Sequence, residues 1–155
     1  VFSYLFFLNP SYSDDNLKDG ISAYESGEFK LAMTIFSPLA VEGNRSAQFY
    51  LGKMYDYGQG TIQDDLKALN WYQKAAKQGH PEAQFGVARM WDGGEGIPMR
   101  MELAWAWATI AAEQNVEKAN ILRETVEELM SENELSLARK EADRIRKEYV
   151  LPFRN

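Results

Sequence analysis

Along most of the chain the apolar positions fall three and four residues apart. Ala47, Leu51, Met54 and Tyr55 share one helical face. Gly58-Gln59-Gly60 breaks that stripe and predicts a helix end followed by a loop. After Asp64 and Asp65, either of which can cap a helix, a second stripe runs through Leu66, Leu69, Tyr72, Ala75 and Ala76. Gly79 ends it, and Pro81 suits the first turn of another helix. The pattern reads helix, loop, helix, turn.

The pattern then repeats. Ala47-Gln48-Phe49 returns as Ala83-Gln84-Phe85, and a shift of 36 residues aligns much else. Ala47, Ala83 and Ala119 fall in register, as do Gln48, Gln84 and Asn120. Met54 meets Met90, Tyr55 meets Trp91, and Gly58 and Gly60 meet Gly94 and Gly96. Trp71 meets Trp107, Ala75-Ala76 meets Ala111-Ala112, and Gln78-Gly79 meets Gln114-Asn115. Backward, Ala32, Ile35, Ala40 and Gly43 match Ala68, Trp71, Ala76 and Gly79. A period of this size predicts stacked helix hairpins, because one hairpin cannot bury its stripe alone. Ala47, Gly52, Ala68 and Ala76 let the backbones approach, and Tyr55 and Trp71 fill the space beside them.

The string Ala47-x3-Leu51-Gly52-x2-Tyr55-x2-Gly58-x-Gly60, then Asp64, Lys67-Ala68 and Trp71-Tyr72-x-Lys74-Ala75-Ala76-x-Gln78-Gly79, closely resembles the Sel-one-like repeat of bacterial proteins. That family is similar to the tetratricopeptide repeat but has a longer loop inside each hairpin. The resemblance covers about 20–150. It is strong in 47–82 and good in 83–118, where Gly52 becomes Ala88 and Tyr72 becomes Ala108. It implies an all-α, right-handed solenoid with units at about 14–46, 47–82 and 83–118 and capping helices over 119–150. The first unit is degenerate: Ala23–Asn44 has a short turn at Ser26-Gly27 in place of the glycine loop, as terminal units often do. Ala119–Ile145 is similar to the closing helices of bacterial members, and Ser131-Glu132-Asn133-Glu134 is a capping box.

Bulk composition narrows the classes. The 155 residues suit one domain, and 45% hydrophobic content excludes disorder. A net charge of −6 disfavours nucleic acid. The chain has no cysteine, so disulfides and thiolate zinc sites are excluded. The apolar run Val1–Leu8, followed by Ser11 and Ser13, is too short to span a membrane and looks like the end of a signal peptide. Residues 1–13 are therefore set outside the fold, and a periplasmic or secreted location is expected, with the cytoplasm as the alternative. The competing reading packs this segment on the first helix.

The resemblance implies that the first helix of each hairpin lines a concave wall. Opposite the Leu51/Tyr55 face this selects Phe49, Lys53, Asp56 and Tyr57, then Phe85, Arg89 and Asp92, then Ile121 and Thr125. Phe49 over Phe85 and Lys53 over Arg89 would set an aromatic row beside a cationic one, the residue types that anchor interfaces. The alternative buries both phenylalanines between units. Other chemistry is thin. His80, the sole histidine, lies in a turn. Gly93-Gly94-Glu95-Gly96 follows a helix, unlike a phosphate loop. Asp14-Asp15, Asp64-Asp65 and Glu127-Glu128 are adjacent acids that point apart, unlike a catalytic pair. Trp71, Trp91 and Trp107 fall at core positions, whereas Trp105 is off the pattern. Arg139, Lys140, Arg144, Arg146 and Lys147 interleave with acids, which predicts a salt-bridged face, with a docking helix as the alternative.

The expectation is a non-catalytic bacterial scaffold that holds a protein or peptide in its groove, without cofactor, metal, nucleic acid or stable membrane insertion. Reversing charge at Lys53 and Arg89 should then weaken binding without unfolding. Two alternatives stay open: an accessory protein for cell-wall or β-lactam-like ligands, although no serine has a lysine three residues on, and a self-associating structural module in place of a monomer.

Overall fold

The structure is a computed structural model that describes residues 10–94 and 96–150. These form eight α-helices and a closing π-helical turn: α1 Pro10–Glu25, α2 Phe29–Val41, α3 Arg45–Asp56, α4 Asp65–Lys77, α5 Pro81–Gly93, α6 Met101–Ala112, α7 Glu117–Glu127, α8 Glu132–Ile145 and the turn Arg146–Val150. There is no strand among the described residues. Each helix from α1 to α7 packs on its neighbours in the chain, and α8 folds back onto α6. The result is an α-solenoid of three hairpins closed by α7 and α8. One apolar cluster around Phe36, Leu51 and Met54 serves the first hairpins, and a larger one around Tyr72, Val87, Trp107 and Ile145 serves the rest.

The recurring Ala-Gln now has a physical meaning. Gln48 and Gln84 are buried, and the amide of each donates to the carbonyl of the residue eight positions back, Ala40 and Ala76. The Oε1 of each accepts from the glutamine that ends its own hairpin, Gln78 to Gln48 and Gln114 to Gln84. Two hydrogen-bonded pairs, one repeat apart, thus tie each turn to the next while satisfying amides that burial would otherwise penalise.

The cap positions repeat in the same way. The Asn44 side chain accepts from the backbone N–H of Ala47, and one period later His80 Nδ1 accepts from Ala83. Val116 holds the third such position and makes no side-chain cap. Asp64, of the two candidate acids, caps α4, and the capping box at Ser131 opens α8 as expected.

Size compensates across units. A Cβ on Gly52 would lie 2.5 Å from the Tyr72 ring, and one on Gly86 would lie 3.0 Å from its other side. The ring fills space that two glycines vacate. One repeat on, Gly52 and Tyr72 become Ala88 and Ala108, both fully buried, so a small–large pair is exchanged for two small residues. In the first hairpin the device recurs as Gly20 against Phe36, with shorter spacing because the loop at 26–28 is shorter than that at 57–64.

Several expectations need correction. Pro10 opens α1, so residues 10–13, set outside the fold, are helical, and the boundary at 14 falls inside that helix. The run 1–8 lies outside the described residues. Trp105, off the repeat pattern, is buried, and its indole N–H donates to Glu127 Oε2 at 2.9 Å. Trp71 and Trp91 are only half-buried; Lys74 Nζ lies 4.1 Å over the Trp71 ring. In the last helix Arg144 pairs with Glu141 and Glu148, and Arg146 with Asp143 and Glu113.

Candidate partner-binding recess

A recess of about 360 Å³ opens where α3, α5 and the start of α7 meet. From the first hairpin-forming helix of the central unit come Phe49 and Lys53, with Tyr57 just past its end. From α5 come Glu82, Phe85, Gly86 and Arg89. Tyr72 forms the floor, and Val116 and Lys118 close the far side.

Of the seven wall residues expected in units 47–82 and 83–118, five line this recess: Phe49, Lys53, Tyr57, Phe85 and Arg89. Phe49 and Phe85 are half-buried. Phe49 stacks on the His80 imidazole with centroids 4.4 Å apart, which settles that ring at the lip of the recess. Tyr57 is 59% exposed, and the Arg89 guanidinium lies 6.0 Å from its ring centre.

The other two residues are placed differently. Asp56 is 6% exposed and lies beneath the wall, because α3 turns its last residue inward against α4. Its Oδ2 accepts from the Tyr72 hydroxyl at 3.0 Å and from the Arg89 guanidinium. It offers no carboxylate to a ligand; it fixes Arg89. Asp92 lies one turn beyond Arg89 and does not line the recess. The positions one period after Arg89 and Tyr72 are Thr125 and Ala108, so the group around Asp56 has no counterpart around Asp92. Ile121 and Thr125 are exposed outside the recess, and the Thr125 hydroxyl donates back to the Ile121 carbonyl.

Electrostatics follow from burial and partners. Burial works against the Arg89 charge, but the Asp56 hydrogen bond and charge outweigh it and hold the guanidinium above its ordinary value. Burial, reinforced by the Asp56 charge, pushes the Tyr72 phenol up, so it stays a donor. Burial also lowers His80, against the pull of Glu82, and keeps its Nδ1 free to accept. Lys53 is held by aromatic faces: its Nζ lies 4.7 Å from the Tyr24 ring centre, 5.7 Å from Tyr50 and 5.8 Å from Phe49. Among the described residues neither Lys53 nor Lys118 has a carboxylate within ion-pair distance.

Glu82 and Lys118 were not foreseen. Their signal lay in the register: Ser46, Glu82 and Lys118 fall one period apart in the first turns of α3, α5 and α7. No group of three His, Asp or Glu side chains that could hold a metal occurs among the described residues. No described helix is long and apolar enough to cross a membrane.

Known proteins share both the repeat and its geometry. The Sel1 repeat model matches 45–80 and 81–116, the spans from cap to cap. A protective antigen with an SLR fold from uropathogenic Escherichia coli superposes with a TM-score of 0.83 and 26% identity, covering 88% of this chain and 30% of that one. A Sel1 repeat protein from Oxalobacter formigenes gives a TM-score of 0.67 and 32% identity, covering 83% and 55%. An exopolysaccharide production negative regulator of Rhizobium meliloti is 37% identical over 59 residues, 38% of this chain and 22% of its own. The chain thus spans about half or less of these relatives. It carries two Sel1 repeats, on a fold that it shares with solved Sel1 repeat proteins. Such repeats generally mediate protein–protein interactions and are generally non-catalytic scaffolds.

Proposed function

We propose that this protein is a non-catalytic adaptor that holds a protein segment in the recess between α3, α5 and α7. The carrying observation is that aromatic and cationic side chains from successive repeats converge there, with Tyr57 exposed and Lys53 lacking a carboxylate partner among the described residues. Aromatic side chains and cations together are residue types that interfaces use as anchors. The R. meliloti relative is a negative regulator of exopolysaccharide production, which fits a role exerted on other proteins. The apolar run Phe2–Leu8 supports an exported, periplasmic setting for that role.

The test is affinity capture from an envelope extract of the source cells, with the wild type beside Lys53→Glu, Lys118→Glu as baits. Arg89 is left intact, because its reversal would set a second carboxylate against buried Asp56 and confound binding with unfolding. Reversing Lys53 and Arg89 together, expected to weaken binding without unfolding, therefore does not separate binding from folding. A protein retained by the wild type and lost with the variant supports the adaptor. Equal retention by both sinks the recess assignment. Recovery of the protein in a cytoplasmic fraction alone would contradict the export reading.

A further inference from the structure

Resting on the adaptor reading, we infer that the recess selects an acidic segment: side-chain carboxylates taken by Lys53 and Lys118, with a neighbouring apolar side chain laid against Phe49 and Phe85. Three observations lead there. First, the cations are not equivalent. Arg89 is neutralised from below by Asp56, whereas Lys53 and Lys118 have no carboxylate in reach among the described residues. Among the residues lining the recess Glu82 alone is acidic, and it faces His80 Nδ1 at 3.4 Å. An overall acidic chain therefore presents two open cations in one small apolar depression.

Second, Lys53 is pre-ordered. Three aromatic faces around its Nζ fix the ammonium without discharging it, so a ligand carboxylate would meet a cation whose side-chain entropy is already spent. Third, Lys118 sits in the first turn of α7, where the helix dipole disfavours positive charge. Val116 before it makes no side-chain cap. A cation maintained at an unfavourable helix end is best repaid by an external anion. An amphipathic acidic segment meets every part of this surface: carboxylates for the lysines, and an apolar side chain for the ring edges and Val116.

The experiment uses the full chain and a displayed library of random twelve-residue segments embedded in a carrier, so that no free C-terminal carboxylate is offered. Enriched segments are resynthesised with amidated ends, and binding is measured by fluorescence anisotropy. We expect Asp or Glu beside Leu, Ile or Phe in the enriched set. Affinity should fall at least tenfold in Lys53→Met, Lys118→Met and equally when the peptide acids become amides. Lys118→Met alone, at an exposed position, keeps the comparison valid if the double variant folds poorly. Segments without acids that still lose binding in Tyr57→Ala would overturn this inference and leave the groove in place. A library that yields no segment dependent on Tyr57, Lys53 or Lys118 would overturn both.

Discussion

Asp56 and Arg89 join consecutive repeats: the carboxylate ends α3, the guanidinium leaves α5, and Tyr72 of the intervening α4 donates to the same Oδ2. Asp56 is buried, and these two donors satisfy its Oδ2. We expect Arg89→Glu to cost about 3 kcal/mol and Arg89→Met about 1–2, since Arg89 is 39% exposed and water recovers part of the loss. Urea denaturation followed by circular dichroism measures both. An Arg89→Glu protein as stable as the wild type would contradict the pair.

The Tyr72 ring and the two glycines against it make a second, sharper prediction. Gly52→Ala alone should destabilise by about 1–3 kcal/mol through overpacking against the ring. In a Tyr72→Ala background the same change should cost far less, because Ala88 with Ala108 shows that two small residues fit this register. A double-mutant cycle reads the coupling directly, and strict additivity would mean that the ring does not press on Gly52.

The buried glutamines should be equivalent to one another. Removing Gln84 leaves the Gln114 amide without its acceptor and the Ala76 carbonyl with backbone donors alone, and Gln84→Ala should cost about 1–3 kcal/mol. Gln48→Ala should cost a similar amount, since it serves Ala40 and Gln78 in the same way. A large difference between the two would show that the repeat of sequence is not a repeat of energetics.

His80 gives the fold a pH dependence of known sign. Burial lowers its pKa below the ordinary value of 6.5, so the unfolded chain takes the proton first as pH falls. Stability from this group is complete above that value, declines as pH drops through it toward the folded pKa, and then levels off. Protonated Nδ1 also cannot accept from Ala83. His80→Asn, which places the Asn44 cap one repeat later, should remove the His-dependent part between about pH 7.5 and 5.5. Parallel melting temperatures of the two proteins over that range would refute the assignment.

What the sequence made legible was whatever repeats. Ala47, Gln48 and their copies at 83 and 84 fixed the helices, their caps and the stacking, because those positions answer to the period alone. The recess was half legible: Phe49, Lys53, Tyr57, Phe85 and Arg89 followed from the wall that the resemblance implies. Asp56 did not, because its inward turn depends on Tyr72, and that residue has no counterpart at Ala108. Trp105 escaped for a related reason: its partner Glu127 belongs to a closing helix outside the aligned units. Lys118 was missed because a wall drawn from the middle of each first helix overlooks the first turns.

The most direct measurement is site-specific photo-crosslinking in the source cells, with a benzophenone amino acid at Tyr57 in the recess and, separately, at Leu129, which is 68% exposed beyond α7. The account predicts a discrete protein adduct from position 57 that Lys53→Glu, Lys118→Glu abolishes, and none from position 129. An adduct from 129 with a silent 57 would contradict it.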